Sequence, residues 1–389
     1  MGLEQVDARR VECLDGLRGL AAFWVLIGHM MILTGFRLPL VSKPDLGVDL
    51  FILLSGFLMV FQYQLRAGSE DWNAPGTWTA FWTRRFLRLA PLFFVTLAVA
   101  LIAGPVIYES RVAIDSFLGQ ALQPRERYAD ASLANIAAHL SFVFGVLPGY
   151  AFRTPLPDWS LGLEMQFYLA FPFLVLLARR TGWVPAALIA AGAGAAAALL
   201  AMAAGLDYPM PSFLPLKLHL FLCGMLIAAD PGPGRRVWLH LAAAMLLAAI
   251  PIGGDQDALH FAVRELLVLG FFALVHLRRL GAIDGVARLL GSRPFYWLGE
   301  LSYGTYLIHL LILQPVAAAV IGRFGTGLSA PERFAVTGAI VVPVTYGLAY
   351  LAYRLVELPG QRLGKAVIRR ATGSAARSRQ TAPEELAAP

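Results

Sequence analysis

The feature that most constrains this chain is a series of uninterrupted apolar runs, each about 20 residues long, the length an α-helix needs to cross a bilayer core. Backbone N–H and C=O groups find no water there, so such runs must satisfy themselves internally as helices. An outer-membrane barrel would show alternating hydrophobicity, and the continuous runs exclude it. Composition agrees: 58% of the 389 residues are hydrophobic and only 15% are charged, against about a quarter charged in a soluble domain. A soluble enzyme, a disordered chain and a disulfide scaffold are thereby excluded. The two cysteines, Cys13 and Cys223, sit in no CxxC or metal-type spacing. The net charge of +7, from 32 basic and 25 acidic side chains, calls for no nucleic-acid partner, because membrane proteins concentrate basic residues on their cytoplasmic side.

The runs fall at 14–35, 46–65, 90–107, 159–178, 183–205, 213–229, 237–252, 258–277, 295–321 and 335–356. They predict an all-α, polytopic transmembrane bundle of about ten spans. The first is an uncleaved span rather than a signal peptide, since it carries Arg18 and His29 and lacks a small-x-small cleavage site. A further apolar stretch, 133–147, is shorter and is followed by Pro148-Gly149. Charge decides that it does not cross. Omitting it puts Arg66, Arg84, Arg85, Arg88, Arg179, Arg180, Arg278, Arg279, Arg288, Arg293 and both termini on the cytoplasmic side, whereas a crossing would turn the Arg pairs outward. The segment 108–158 is then an outer loop with a re-entrant or interfacial part. Residues 1–360 form the transmembrane domain. The expectation for 361–389 is a basic, disordered cytoplasmic tail containing Arg362, Lys365, Arg369 and Arg370. The expected location is the inner (plasma) membrane.

Ionisable groups inside spans are costly and mark functional sites. Arg18 and His29 share the first span eleven residues apart, close to three turns, so they face one side about 16 Å apart along the axis. A snorkelling arginine and a packing histidine are the plain alternatives. Asp49 opens the second span, either as a helix N-cap or as a buried functional carboxylate. Glu164, in the outer half of the fourth span, needs a partner, and His29 is a candidate at the same depth. Arg84, Arg85 and Arg88 form a basic run that is either a topology signal or a phosphate site, for which guanidinium forks are well shaped. Ser302, Tyr303, Tyr306 and His309 fall on the ninth span, and Tyr303 and Tyr306 also suit an interfacial aromatic belt. Lys217, His219, Arg264 and Glu265 are left between acceptor-site and structural roles. Basic groups at one mouth and a histidine deeper in suit a long donor with a charged head and a slim tail, such as coenzyme A. An ion or lipid pathway would suit the same residues.

At these positions the sequence resembles the acyltransferase 3 family of integral-membrane acyltransferases, over about 14–365. Leu14-Asp15-Gly16-Leu17-Arg18 through His29 is similar to its Arg-x10-His signature. Gly47-Val48-Asp49-Leu50-Phe51 and Arg85-Phe86-Leu87-Arg88 are similar to its second-span and RxxR motifs. Trp159-Ser160-Leu161 with Glu164 and Tyr168 resembles its WSLxxE block. Leu298-Gly299, Ser302-Tyr303, Tyr306 and His309 resemble its ninth-span motif, and Val356-Glu357 with Pro359 its closing element. Two departures are visible: Glu164 is followed by Met165 where a second glutamate is common, and the closing element reads Glu-Leu-Pro-Gly. Many relatives carry a fused hydrolase-like domain after the last span; the expectation here is a stand-alone type.

The resemblance implies that Arg18, Arg85 and Arg88 hold an acyl-coenzyme A and that His29 is the catalytic base, a role suited to histidine near neutral pH. Glu164 or Asp49 would fix the imidazole tautomer. Trp159, Ser160, Tyr168, Ser302, Tyr303 and His309 fall to the substrate side. The function implied is transfer of an acyl group, acetyl foremost, from coenzyme A to a hydroxyl of a glycan or glycolipid, directly or through an acyl-enzyme. No metal is implied, since the histidines lie on scattered spans without ligand spacing. A polar-solute transporter would require inverted-repeat halves, which the sequence lacks. A non-catalytic polysaccharide-assembly partner would tolerate loss of His29.

Overall fold

The computed structural model describes residues 3–229, 234–277 and 281–380, and all regular structure among them is helical. Arg278, Arg279 and the last nine residues of the expected tail lie outside the described residues. The helices are α1 (Leu3–Thr34), α2 (Pro44–Leu65), α3 (Pro75–Leu118), α4 (Glu126–Ala129), α5 (Leu133–Leu140), α6 (Trp159–Thr181), α7 (Trp183–Ala203) and α8 (Leu214–Ala228). They continue with α9 (Arg235–Ala248), α10 (Ala258–His276), α11 (Gly281–Leu290), α12 (Arg293–Glu300), α13 (Ser302–Phe324), α14 (Ala330–Ala352) and α15 (Leu358–Gln380). Among the described residues, eight helices are long and apolar enough to cross a membrane. The sixth and seventh expected spans are the shorter apolar helices α8 and α9, of 15 and 14 residues. The chain is a multi-pass, all-helical membrane protein.

α8 spans only about 22 Å against a core of about 30 Å, and it survives at that length because protein encloses it. Every residue from Leu216 to Ala228 is buried. Its approach to α2 is set by small residues. A methyl on Gly56 would overlap the Phe221 carbonyl oxygen, and one on Gly224 would overlap that of Leu53. Glycine at both positions lets the two backbones touch, the packing device that replaces hydrophobic drive inside a bilayer. Gly299 does the same for α12 against α1, where a side chain would overlap the Asp15 carbonyl oxygen. That contact fixes the mouth of the site described below.

Three boundaries differ from the sequence expectation. The third helix runs 44 residues rather than 18, carrying Pro91 and Pro105 inside it, so the basic run and the span form one rod. The ninth span breaks at Leu301 into α12 and α13; the Ser302 hydroxyl closes the break by donating to the Gly299 carbonyl at 2.6 Å. Helix also continues through α15 to Gln380, in the segment expected to be disordered. Gly360 seats α15 against Leu87 and Pro91 of α3. Between α14 and α15 the helix widens into a π-turn, Tyr353–Glu357, a feature that concentrates at functional sites.

The segment after α3 contains no helix long enough to cross. α5 has eight residues, about 12 Å. Instead it folds as a cap. Asn135 donates to the Asp130 and Arg153 carbonyls at 2.7 and 3.1 Å, His139 stacks on Phe144 with ring centroids 4.3 Å apart, and Arg127 lies over Phe152 while donating to the Thr154 carbonyl. Leu133, Leu140, Val143 and Leu147 remain exposed, the apolar face expected of an interfacial element.

Candidate active site

Arg18 lines a cavity of about 310 Å3. Along α2 its lining runs from Gln62 to Val48, about 21 Å at helical rise. The end near Gln62 is charged. Arg18, Arg85 and Arg88 meet Asp15, Glu300 and Glu357 there, and Glu164 lies further in. Four helices (α1, α3, α6 and α12) and the π-turn supply these groups, so residues far apart in sequence converge through packing alone. Arg18 pairs loosely with Asp15 at 3.6 Å. Arg85 donates to the Gln62 amide oxygen and lies 5.6 Å from the Tyr168 ring centroid. Its buried Nε has no hydrogen-bond acceptor. Arg88 makes no salt bridge among the described residues. The mouth thus holds guanidinium capacity that the protein itself leaves unused.

The inner end is lined by hydroxyls. Tyr306 shares a 2.6 Å hydrogen bond with Ser160 and donates to the Pro157 carbonyl at 2.7 Å. Tyr303 donates to the Leu89 carbonyl at 2.7 Å. The Ser55 hydroxyl donates to Glu164 at 2.8 Å, and Tyr168 donates to the same carboxylate oxygen.

His29 is not on the cavity wall. It lies beyond Tyr306, against His309, whose Nε2 is 3.1 Å from His29 Nδ1. The ring of Tyr306 sits 6.2 Å from that of His309, so it stands between cavity and histidine pair. The hydrogen bonds assign the tautomers. His309 Nδ1 is 2.7 Å from the Tyr306 carbonyl and must carry a proton to bond it, which leaves Nε2 as an acceptor. His29 Nδ1 faces that acceptor and the Val25 carbonyl at 2.9 Å, so it too is protonated. The lone pair of His29 therefore falls on Nε2, a ring nitrogen free to take a proton. His29 is half-buried, whereas His309 is wholly buried.

Two expectations need correction. Neither Glu164 nor Asp49 touches His29: Glu164 is held by Ser55 and Tyr168, and Asp49 is not an N-cap, because α2 begins at Pro44. Asp49 is buried one turn inside. There it pairs with Lys217 at 2.6 Å and with Arg264 at 3.2 Å. Arg264 in turn donates to Gln256 at 3.3 Å and to the Asp255 carbonyl. Three charged groups on three helices satisfy one another, which accounts for Lys217 and Arg264 as structural partners. His219 is buried nearby on α8 with Nε2 unbonded. Trp159 and Ser302 pack in the bundle and are not among the cavity lining, whereas Ser160, Tyr168 and Tyr303 are. Sequence reasoning passed over Glu357 as a site residue. It is buried in the cavity wall with Oε1 unbonded; the signal was its place in the closing motif beside Pro359.

A family model described as an acyltransferase domain, that of the acyltransferase 3 family, matches residues 11–354. The chain belongs to the acyltransferase 3 family. Curated relatives include the acyltransferase MdmB of Streptomyces mycarofaciens, 26% identical over 78% of this chain and 79% of the relative. Nodulation protein 10 of Rhizobium leguminosarum is 25% identical over 89% and 90%. The peptidoglycan O-acetyltransferase OatA of Listeria monocytogenes is 25% identical over 91% of this chain but 56% of its own length, so the chain spans little more than half of that relative. No solved structure matches. An acyltransferase 3 chain built as a helical membrane bundle is a membrane acyltransferase.

Proposed function

We propose that this acyltransferase moves an acyl group, acetyl foremost, from acyl-coenzyme A to a hydroxyl of a glycan or glycolipid. The observation that carries the reading is a 310 Å3 cavity with unpaired guanidinium capacity at its mouth, leading toward a histidine pair with a free Nε2. That volume is at the lower limit of ligand pockets. It suits a slim pantetheine arm with the nucleotide held outside by Arg18, Arg85 and Arg88. Glycan acceptors are supported by OatA, whose name gives peptidoglycan as its substrate. The basic bias at the cavity mouth supports placing that end and both termini in the cytoplasm of an inner (plasma) membrane protein.

In this reading His29 Nε2 takes the proton of the acceptor hydroxyl as its oxygen attacks the thioester carbonyl. The carbonyl becomes an oxyanion, the C–S bond breaks, and the departing thiolate receives the proton back from the His29 imidazolium. His309 keeps Nε2 of His29 unprotonated by accepting from Nδ1, the orienting task a carboxylate performs in triads. Tyr306 and Ser160 line the passage the thioester follows.

The test is thiol release from acetyl-coenzyme A by purified protein in nanodiscs, with and without glycan from the source cell. Glycan-stimulated release supports the reading, and absence of both release and coenzyme A binding refutes it. Arg88→Ala is expected to raise KM for the donor about tenfold or more, the worth of a lost charge-assisted bond, with less effect on kcat. Arg88→Lys keeps the charge without the fork and falls between.

A further inference from the structure

At the end of the bundle where α2 and α10 begin, residues remote in sequence meet. Asp45 lies in the first turn of α2, Asp255 in the loop before α10 and His260 in the first turn of α10. Their ligand-type atoms lie within 4.8 Å of one another. His260 is wholly buried, yet neither ring nitrogen makes a directed hydrogen bond. Carboxylate oxygens nonetheless surround it. Nε2 is 2.9 Å from Asp45 and 3.6 Å from Asp255, and Nδ1 is 2.8 Å from Asp257.

We infer that Asp45, Asp255 and Nε2 of His260 bind one divalent transition-metal ion, with zinc as the ion the donor set favours. Two ligands each about 2.1 Å from zinc lie roughly 3.0–3.4 Å apart, a range that the 2.9 and 3.6 Å separations from Nε2 straddle, so small shifts of the two carboxylates would admit the ion. One imidazole with two carboxylates suits zinc better than magnesium or calcium, which take oxygen alone. Asp257 supplies the outer partner that a metal-bound imidazole needs. It accepts from the His260 backbone N–H at 2.9 Å and faces Nδ1, which holds the proton there and turns the Nε2 lone pair toward the trio. Asp255 is mostly exposed, so the ion has a way in and that ligand has freedom to close.

Lys43 is the competitor. Its ammonium is 3.3 Å from Asp255 Oδ2, the oxygen that faces His260. Binding therefore displaces Lys43 into solvent, which its long stem permits. The ion has a defined mechanical effect. Asp49 and Arg264 lie one helical turn beyond Asp45 and His260 on the same two helices, so the metal would clamp α2 to α10 directly above the buried ion pairs. The inference does not depend on the acyl-transfer reading.

The full-length protein, stripped with EDTA and titrated with Zn2+ in nanodiscs, is expected to bind one ion per chain. Its thermal midpoint should rise by several degrees, and EDTA should reverse the rise. Asp255→Asn, at an exposed position that spares folding, and His260→Gln should each abolish the shift. Lys43→Ala should tighten binding several-fold by removing the competing ammonium. Failure to bind one zinc per chain, or a shift that persists in Asp255→Asn and His260→Gln, overturns the site. An equal response to Mg2+ overturns the imidazole ligand.

Discussion

His29→Ala is expected to reduce acyl transfer by about 10²–10⁴-fold, the usual worth of a positioned general base, while leaving donor binding near the parental value. The separation follows from position: the guanidinium groups sit at the cavity mouth, and His29 lies beyond Tyr306 and off the cavity wall. The His309 partner sharpens the test. His309→Phe removes the acceptor for His29 Nδ1–H, frees the ring to adopt the other tautomer and should cost most of the same rate. His309→Gln offers an amide oxygen in its place and should recover part of it. The readouts are kcat, KM for acetyl-coenzyme A and the pH profile of all three variants. A His29→Ala protein that retains parental kcat would remove the base from the mechanism. Equal losses in the two His309 variants would remove the tautomer argument alone.

Asp49→Ala carries the second large effect, on stability. The side chains of Asp49, Lys217 and Arg264 are all at least 97% buried. Removal of the carboxylate leaves an ammonium and a guanidinium facing each other without a counter-charge. Breaking a buried pair this way costs about 3–5 kcal/mol, against a total stability of about 5–15 kcal/mol for a typical domain. The expected outcome is a steep loss of monodisperse protein and a lower thermal midpoint. Lys217→Met added to Asp49→Leu should restore part of both, since replacing an entire buried pair by apolar groups is far less costly than orphaning one member. The Arg264 contact contributes as an ion pair without hydrogen-bond alignment, so Arg264→Met should cost less than Asp49→Ala. Unchanged melting in Asp49→Ala would show that water reaches the cluster.

These two residues show how far the sequence could be read. Helices were legible because hydrophobic length is a one-dimensional property, and the eight long helices fall where the runs predicted. The breaks were not. Leu301 lies between Gly299-Glu300 and Ser302, a polar interruption that the hydropathy of the whole run conceals, and the π-turn at Tyr353–Glu357, which packs on α3, has no one-dimensional signal. That Arg18, Arg85 and Arg88 share one cavity follows the set the family resemblance implies; chemistry alone marks only the run Arg84, Arg85 and Arg88 as a phosphate candidate. Pairing was not legible. Glu164 and His29 share a depth, but depth is one coordinate, and the azimuth that sends Glu164 to Ser55 and His29 to His309 depends on helix packing angles. The cost of a buried carboxylate marks Asp49 as a site residue in the sequence; the compensation lies in Lys217 and Arg264, whose roles the sequence leaves open.

The enclosed, 15-residue α8 has a consequence for how the chain is made. A segment too short for the bilayer, with Lys217 and His219 near its start, is a poor candidate for leaving the insertion machinery by itself, since charged residues oppose partitioning. α2 precedes α8 in synthesis, so Asp49 is already in place when Lys217 emerges, whereas Arg264 arrives later. Biogenesis then becomes a docking event: α8 enters by capture on α2, with Gly56 and Gly224 setting the landing surface. In chains truncated after α9, Asp49→Asn should leave α8 outside the membrane more often than the parent does, as read by glycosylation of a reporter tag. Equal insertion would mean that α7 and α9 suffice to carry it in.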